Sequence, residues 1–168
     1  EKSKTTLPTT TTPTTTTPTT TTVTSEATTP MPSECLSAIN LTESWRLDHS
    51  GSEIKPVNYN SDTKGMIAAG RPWFRFTGHA GNKLADFCVP MLSCGTVATL
   101  WSNSSMPNSI GIVTPFTIYA HDRSSVAKCD YLQSNGSVMR CSSQAHDFIY
   151  RYDGNNLGGT YGFCGMNA

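Results

Sequence analysis

Six cysteines, Cys35, Cys88, Cys94, Cys129, Cys141 and Cys164, are the residues of this chain best equipped for chemistry. Their even number, all in the second part of the chain, makes all six disulfide candidates and points to an oxidising compartment. The alternative chemistry of cysteine, thiolate ligation, fits poorly. Cys88 and Cys94 are further apart than the usual zinc-knuckle pair, and an oxidised sulfur does not ligate as a thiolate. One pairing has a local rationale. In KCDYLQSNGSVMRC the two cysteines are equidistant from Asn135. A loop Ser134-Asn135-Gly136 with Gly136 at positive φ would set Cys129 opposite Cys141. Other connectivities stay open, and Cys88 and Cys94 are expected to reach distant strands rather than each other.

Histidine supplies the next candidates. His49, His79, His121 and His146 are possible bases, and three of them neighbour an aspartate (Asp48, Asp122, Asp147). Adjacent residues of a strand point to opposite faces, so this adjacency does not build a dyad. The chain has no Gly-x-Ser-x-Gly, no glycine-rich phosphate loop and no His-Glu-x-x-His. It reads as non-catalytic, with no cofactor. Asp153-Gly154-Asn155-Asn156 has calcium-loop flavour, but it lacks oxygen ligands at alternate positions and a distal glutamate. A β-turn explains it, and no metal site is expected.

Asparagine offers a third chemistry. Asn40-Leu41-Thr42, Asn103-Ser104-Ser105 and Asn135-Gly136-Ser137 are N-glycosylation sequons. Together with paired cysteines they place the protein on the secretory route, as a secreted, extracellular glycoprotein.

The elements that carry these residues divide near Ser33. Residues 1–34 form a Thr/Pro-rich, low-complexity segment in which Pro8, Pro13 and Pro18 recur every five residues with only Thr between. Ordering each Thr costs roughly 1–2 kcal/mol, and burying its methyl returns about 0.8 kcal/mol at best, so this tract does not fold by itself. Proline and β-branched threonine favour an extended chain of about 3.1 Å per residue. Dense Thr beside Pro suits mucin-like O-glycosylation, and a bare flexible linker is the alternative.

Twelve basic residues balance twelve acidic ones among 168, which gives no electrostatic support for nucleic-acid or anionic-membrane binding. The longest apolar run, IGIVTPFTIYA, is interrupted by Thr114 and Pro115 and is too short to span a bilayer. The chain starts at Glu1, as expected after removal of a signal peptide or for a fragment.

Residues 35–168 read as a β-rich module with little helix. PWFRFTG alternates, with Phe74 and Phe76 on one face and Trp73, Arg75 and Thr77 on the other. Further strands are expected in TVATLW, IGIVTPFTIYA, AKCDYLQ, SVMRC and DFIYRY, with turns at Asn135-Gly136 and Asp153-Gly154. NKLADFC, with Leu84 and Phe87 three apart and Pro90 beyond, reads as a short helical turn. Trp73, Tyr150 and Tyr152 either form a sugar-stacking platform or, more in keeping with a disulfide-rich domain, fill its own core. Arg75 is expected to stack on an aromatic ring. Large aliphatics are scattered, so three disulfides at roughly 2–4 kcal/mol each would carry much of the stability.

PWFRFTGHAGNKLADFCVPMLSCGT, followed by Trp101, Asn103, Pro107 and IGIV, strongly resembles the uromodulin-type cysteine-rich extracellular module. That pattern is an aromatic strand, a Gly-rich turn, Cys-Val-Pro and a second cysteine. Trp73, Phe74, Arg75, Phe76, Gly78, Gly81, Cys88, Val89, Pro90 and Cys94 carry it, and Cys35 with Ser44-Trp45-Arg46 resembles the start of the module. Three positions depart from it. Tyr119 stands where relatives have cysteine, Cys129-Asp130 replaces a Cys-Cys pair, and no cysteine lies between Trp45 and Trp73. The family's connectivity therefore does not transfer as a set.

The resemblance implies a non-catalytic extracellular part that displays N-glycans or packs into secreted matrices. A Thr-rich repeat ahead of one such module is also similar in layout to threonine-rich proteins of the organic matrix of coral skeletons. The expected partners are other extracellular matrix proteins, or lectin-like glycan binders and adhesins if the module acts as a soluble decoy. Mineral association does not follow from charge, since runs of Asp or Glu are absent.

Overall fold

A computed structural model describes residues 30–47, 61–122, 128–155 and 160–168. Most of the Thr-rich tract and the pair Asp48-His49 lie outside the described residues. In chain order the elements are α1 (Ser33–Ser37), β1 (Ile39–Leu41), a 3-10 turn (Ser44–Arg46), α2 (Asp62–Ala68), β2 (Phe74–Phe76) and a second 3-10 turn (Gly78–Ala80). There follow β3 (Lys83–Leu84), β4 (Ala98–Trp101), β5 (Thr114–Asp122), β6 (Lys128–Arg140), β7 (Phe148–Tyr152), β8 (Tyr161–Phe163) and β9 (Gly165–Met166). Seven strands form one sheet in the order β1-β2-β7-β6-β5-β4-β8, and β3 pairs with β9 beside it. The protein is a small β-rich domain stapled by three disulfides.

Alternation decides which side chains meet. Phe74, Leu100, Phe116, Ile118, Val138, Tyr150 and Phe163 lie on one face of the sheet and form the main core. Their immediate neighbours point the other way and enter two smaller cores. Met139 and Ile149 pack with Cys35 and Cys141 beneath α1. Trp101 packs with Ala85, Val89, Cys94 and Cys164. Both faces are thus covered in patches, which is why β4 and most of β7 are buried along their length instead of every second residue.

The expected strands around PWFRFTG, TVATLW, IGIVTPFTIYA and DFIYRY form as β2, β4, β5 and β7. Two expectations fail. AKCDYLQ and SVMRC are a single strand, β6, which runs through Asn135-Gly136 without turning. Gly136 is not among the positive-φ glycines; it serves close packing. A Cβ there would sit 2.5 Å from the Phe116 ring and 2.7 Å from Ile118 Cδ1, so glycine lets two core side chains lie over the strand. Cys129 and Cys141 therefore stand at opposite ends of an extended strand, on the order of 40 Å apart at its usual rise, and do not pair.

NKLADFC is not helical. The C-terminal segment supplies backbone partners that outcompete a local turn. Asn82 N–H donates to Met166 O at 2.9 Å and Ala85 N–H to Cys164 O at 2.9 Å, with Leu84 opposite Gly165. Phe87, the other half of the supposed apolar pair, is exposed. α2 went unanticipated. Ser61 caps it by accepting from Lys64 N–H at 3.4 Å, Met66 and Thr63 face inward, and Gly70 at φ 79° follows its end.

Candidate functional site

The three sequon asparagines sit in three settings, and each side chain is exposed. Asn40 lies in β1, the edge strand of the sheet, opposite Arg75 of β2. Asn103 follows β4. Its neighbours are both anchored to β5, with Ser102 Oγ donating to Thr117 O at 2.6 Å and Thr117 N–H donating to Ser104 Oγ at 3.1 Å. Asn135 is in the middle of β6, opposite Thr117, while Ser134 points to the other face and donates to Tyr152 Oη at 3.2 Å. Ser137, the hydroxyl of that last sequon, donates to Asp153. Asn103 and Asn135 thus both lie beside Thr117 of β5, whereas Asn40 sits apart at the β1 edge of the sheet.

The six cysteines pair as Cys35–Cys141, Cys88–Cys129 and Cys94–Cys164. Cys88 and Cys94 do reach separate partners. The proposed Cys129–Cys141 bridge is replaced because β6 does not fold back. Cys35–Cys141 ties α1 to the end of β6, Cys94–Cys164 ties the loop before β4 to the segment after β8, and Cys88–Cys129 ties that same loop to the start of β6.

Of the possible bases, His79 is exposed and His146 is half-buried at φ 62°. The neighbouring Asp147 carboxylate accepts from Arg75 at 3.3 Å and from Ser142 Oγ at 2.5 Å. His121 is buried, with Nδ1 at 2.9 Å from Val89 O. Tyr150 and Tyr152 are buried in the main core, so they offer no platform with Trp73. Burial raises the pKa of both phenols. Trp73 is instead covered by Arg151, whose guanidinium carbon lies 4.8 Å from the ring centre. Among the described residues Arg75 stacks on no aromatic ring. It bonds Asp147 and the carbonyl of Cys35, joining β2 to α1 and the loop before β7.

Arg46 is a residue the sequence reading missed. Only 4% exposed, it donates through Nη1 and Nη2 to Asp62 at 2.6 and 3.0 Å and through Nε to Glu43 at 2.8 Å. Asp62 in turn accepts from Phe163 N–H at 2.8 Å, and Arg46 Nη1 lies 3.4 Å from Phe163 O. The guanidinium also stacks on Trp45 at 4.3 Å. This bidentate pair occupies the outer side of β8, the strand at the other edge of the sheet from β1.

Burial disfavours the charge on Arg46, but the hydrogen bonds and charges of Asp62, then Glu43, outweigh it and raise its pKa. For Glu43 burial opposes ionisation, and Arg46 outweighs that and lowers the carboxyl below its ordinary 4.5. The unfolded chain therefore binds this proton at higher pH than the folded one. Its contribution is complete above pH 4.5 and is lost as pH falls through the lower, folded value. Urea midpoints of the wild type and of Glu43→Gln should differ near neutral pH and converge in acid. A pH-independent difference would contradict this assignment.

The matches to known proteins fall on this same framework. The family model of the uromodulin-like domain matches residues 74–165, from the first residue of β2 into β9. The chain belongs to the uromodulin-like domain family. Uromodulin of Mus musculus is 38% identical over 87 residues, which is 52% of this chain and 12% of that protein. Uromodulin of Rattus norvegicus is 38% identical over 81 residues, 48% of this chain and 11% of that protein. The pancreatic secretory granule membrane major glycoprotein GP2 of Canis lupus familiaris is 32% identical over 82 residues, 49% of this chain and 15% of that protein. The chain thus covers only 11–15% of the length of these relatives. In this uromodulin-like domain the departure at Tyr119 has a packing role. Its ring stacks on Trp101 with centres 5.0 Å apart, and Trp101 Nε1–H donates to Cys129 O at 2.9 Å.

Proposed function

We propose that this uromodulin-like protein is a secreted, non-catalytic extracellular glycoprotein in which residues 35–168 form the interacting module and residues 1–34 a mucin-like spacer. The observation that carries this reading is the exposure of Asn40, Asn103 and Asn135 on a domain closed by three disulfides. Disulfides persist in oxidising compartments, and N-glycans are added on the secretory route. The relatives include one named as a secretory granule membrane glycoprotein, which supports the same route. Among the described residues no helix is long and apolar enough to cross a membrane.

Association with other matrix proteins is the favoured role. Ile110, Ile112 and Val113 are 38, 57 and 48% exposed within one short run, and Gly111 packs against Pro32 next to the exposed Met31. Such a run favours contact with a partner. The organic matrix of a calcified skeleton is the setting this layout fits. A second reading, a soluble decoy that presents glycans to lectins or adhesins, is favoured by the exposure of all three asparagines.

Peptide mapping of the natural protein, with and without deglycosylation and reduction, tests the shared basis. Occupied Asn40, Asn103 or Asn135, O-glycans before Ser33 and the absence of free thiols are expected. Bare asparagines with free cysteines would overturn it. Retention in insoluble matrix distinguishes the first role; recovery in fluid with glycan-dependent lectin binding distinguishes the second.

A further inference from the structure

The three disulfides are not equivalent. Cys35, Cys141, Cys94 and Cys164 are 4, 2, 1 and 0% exposed, whereas Cys88 and Cys129 are only half-buried. Cys129 lies at the start of β6, where its neighbours Lys128 and Asp130 are exposed on the other face of the strand. Cys88 is backed by the buried Val89 and by His121, itself 8% exposed. His121 Nδ1 stands 2.9 Å from Val89 O and 3.7 Å from Cys88 Sγ. A carbonyl only accepts, so Nδ1 carries the ring proton. That N–H therefore stands within reach of the sulfur that would leave as a thiolate.

We propose that Cys88–Cys129 is a thiol-exchange site, at which a small aliphatic thiol is captured as a mixed disulfide on Cys129 while Cys88 departs beside His121. In the forward step the external thiolate attacks Cys129 Sγ. A new S–S bond forms, the Cys88–Cys129 bond breaks, and its electron pair passes to Cys88 Sγ, which accepts from His121 Nδ1–H. Reversal is attack by the Cys88 thiolate on Cys129 Sγ, which expels the captured thiol. A second external thiolate would instead attack the captured sulfur, giving the external disulfide and a Cys129 thiolate. The ligand atoms of Cys88, His121 and Cys129 all lie within 4.8 Å of one another, so the opened pair stays placed to close again.

Opening is local. The loop that bears Cys88 remains tied six residues later by Cys94–Cys164, and Thr99 Oγ1 donates to Val89 O at 2.7 Å. The start of β6 remains paired with β5 and is held by Trp101 at Cys129 O. The bridge therefore acts as a removable tether between the loop and β6, while the other two disulfides carry the fold.

The test is graded exposure of the folded, full chain to glutathione at neutral pH, followed by acid quenching, alkylation and peptide mapping. Glutathione on Cys129 with alkylated Cys88, at concentrations that leave circular dichroism and the other two bridges unchanged, is the expected result. His121→Phe should slow the opening about fivefold, the factor that one net hydrogen bond represents. Glutathione mainly on Cys88, earlier opening of Cys35–Cys141 or Cys94–Cys164, or opening of all three only as the fold collapses would each overturn the proposal. An unchanged rate in folded His121→Phe would overturn the role of the histidine. Should that variant not fold, the wild-type map still decides which bridge opens and which sulfur is attacked.

Discussion

Replacing Arg46 with alanine should destabilise the domain by about 3–5 kcal/mol, the range found when one member of a buried ion pair is removed. Four losses coincide, the first being the Nε–H that Glu43 accepts at 2.8 Å. Asp62, whose side chain is 9% exposed, loses a bidentate partner and is left with Phe163 N–H. Phe163 O, on the outer side of β8, loses a donor, and Trp45 loses the cation that covers it. Because the pair also satisfies backbone at a sheet edge, swapping both residues for apolar ones should not restore stability, as it often does elsewhere. Chemical denaturation with disulfides intact measures the effect. Arg151→Ala is the control: it too pairs with an aspartate, Asp153, and lies over a tryptophan, Trp73, but the two charged side chains are 34 and 26% exposed, so that loss should stay at about 1 kcal/mol. Equal losses in the two variants would show that Arg46 is no more than another surface charge.

The two edges of the sheet are thus treated differently. At β8 the Arg46–Asp62 pair occupies the groups that another strand would use. At β1 both Ile39 and Asn40 are exposed, and an N-glycan on Asn40 would obstruct strand addition by bulk. Free edges invite pairing between chains, so either device favours a domain that associates through side chains or sugars instead of through continued sheet.

What the sequence made legible was local and periodic. Phe74 and Phe76 alternate with Arg75 because one face of β2 meets the main core, and that signal needs no partner to be seen. What stayed hidden depends on chain segments far apart in sequence. Gly136 reads as a turn residue, yet its role is set by Phe116 and Ile118 from the neighbouring strand. Leu84 and Phe87 have helical spacing, but the C-terminal strand β9 takes the backbone of this segment. Asp147 neighbours His146 and serves Arg75, 72 residues away. The Arg46–Asp62 pair joins two segments with no shared periodicity, and the approach of His121 to Cys88 exists only once β5 and the loop before β4 are packed together.

Removing the Cys35–Cys141 bridge, by the double substitution Cys35→Ser and Cys141→Ser, should cost about 2–5 kcal/mol and lower the denaturation midpoint accordingly. Loop length does not set this bridge apart. Its separation of 106 residues, against 41 for Cys88–Cys129, changes the chain-entropy contribution by only about 1 kcal/mol, since that contribution grows with the logarithm of length. Position does. α1 has five residues, far too few to be helical without tertiary support. It is held over Met139 and Ile149 by the disulfide and by the bond from Arg75 to Cys35 O. Without the bridge, α1 is expected to detach and expose that small core. Proteolysis in the segment before β1 should then accelerate while the main core, on the other face of the sheet, resists. If the double variant keeps both its midpoint and its protease resistance, α1 is seated by packing alone. The stapled character of the domain would then rest on Cys94–Cys164, the other fully buried pair.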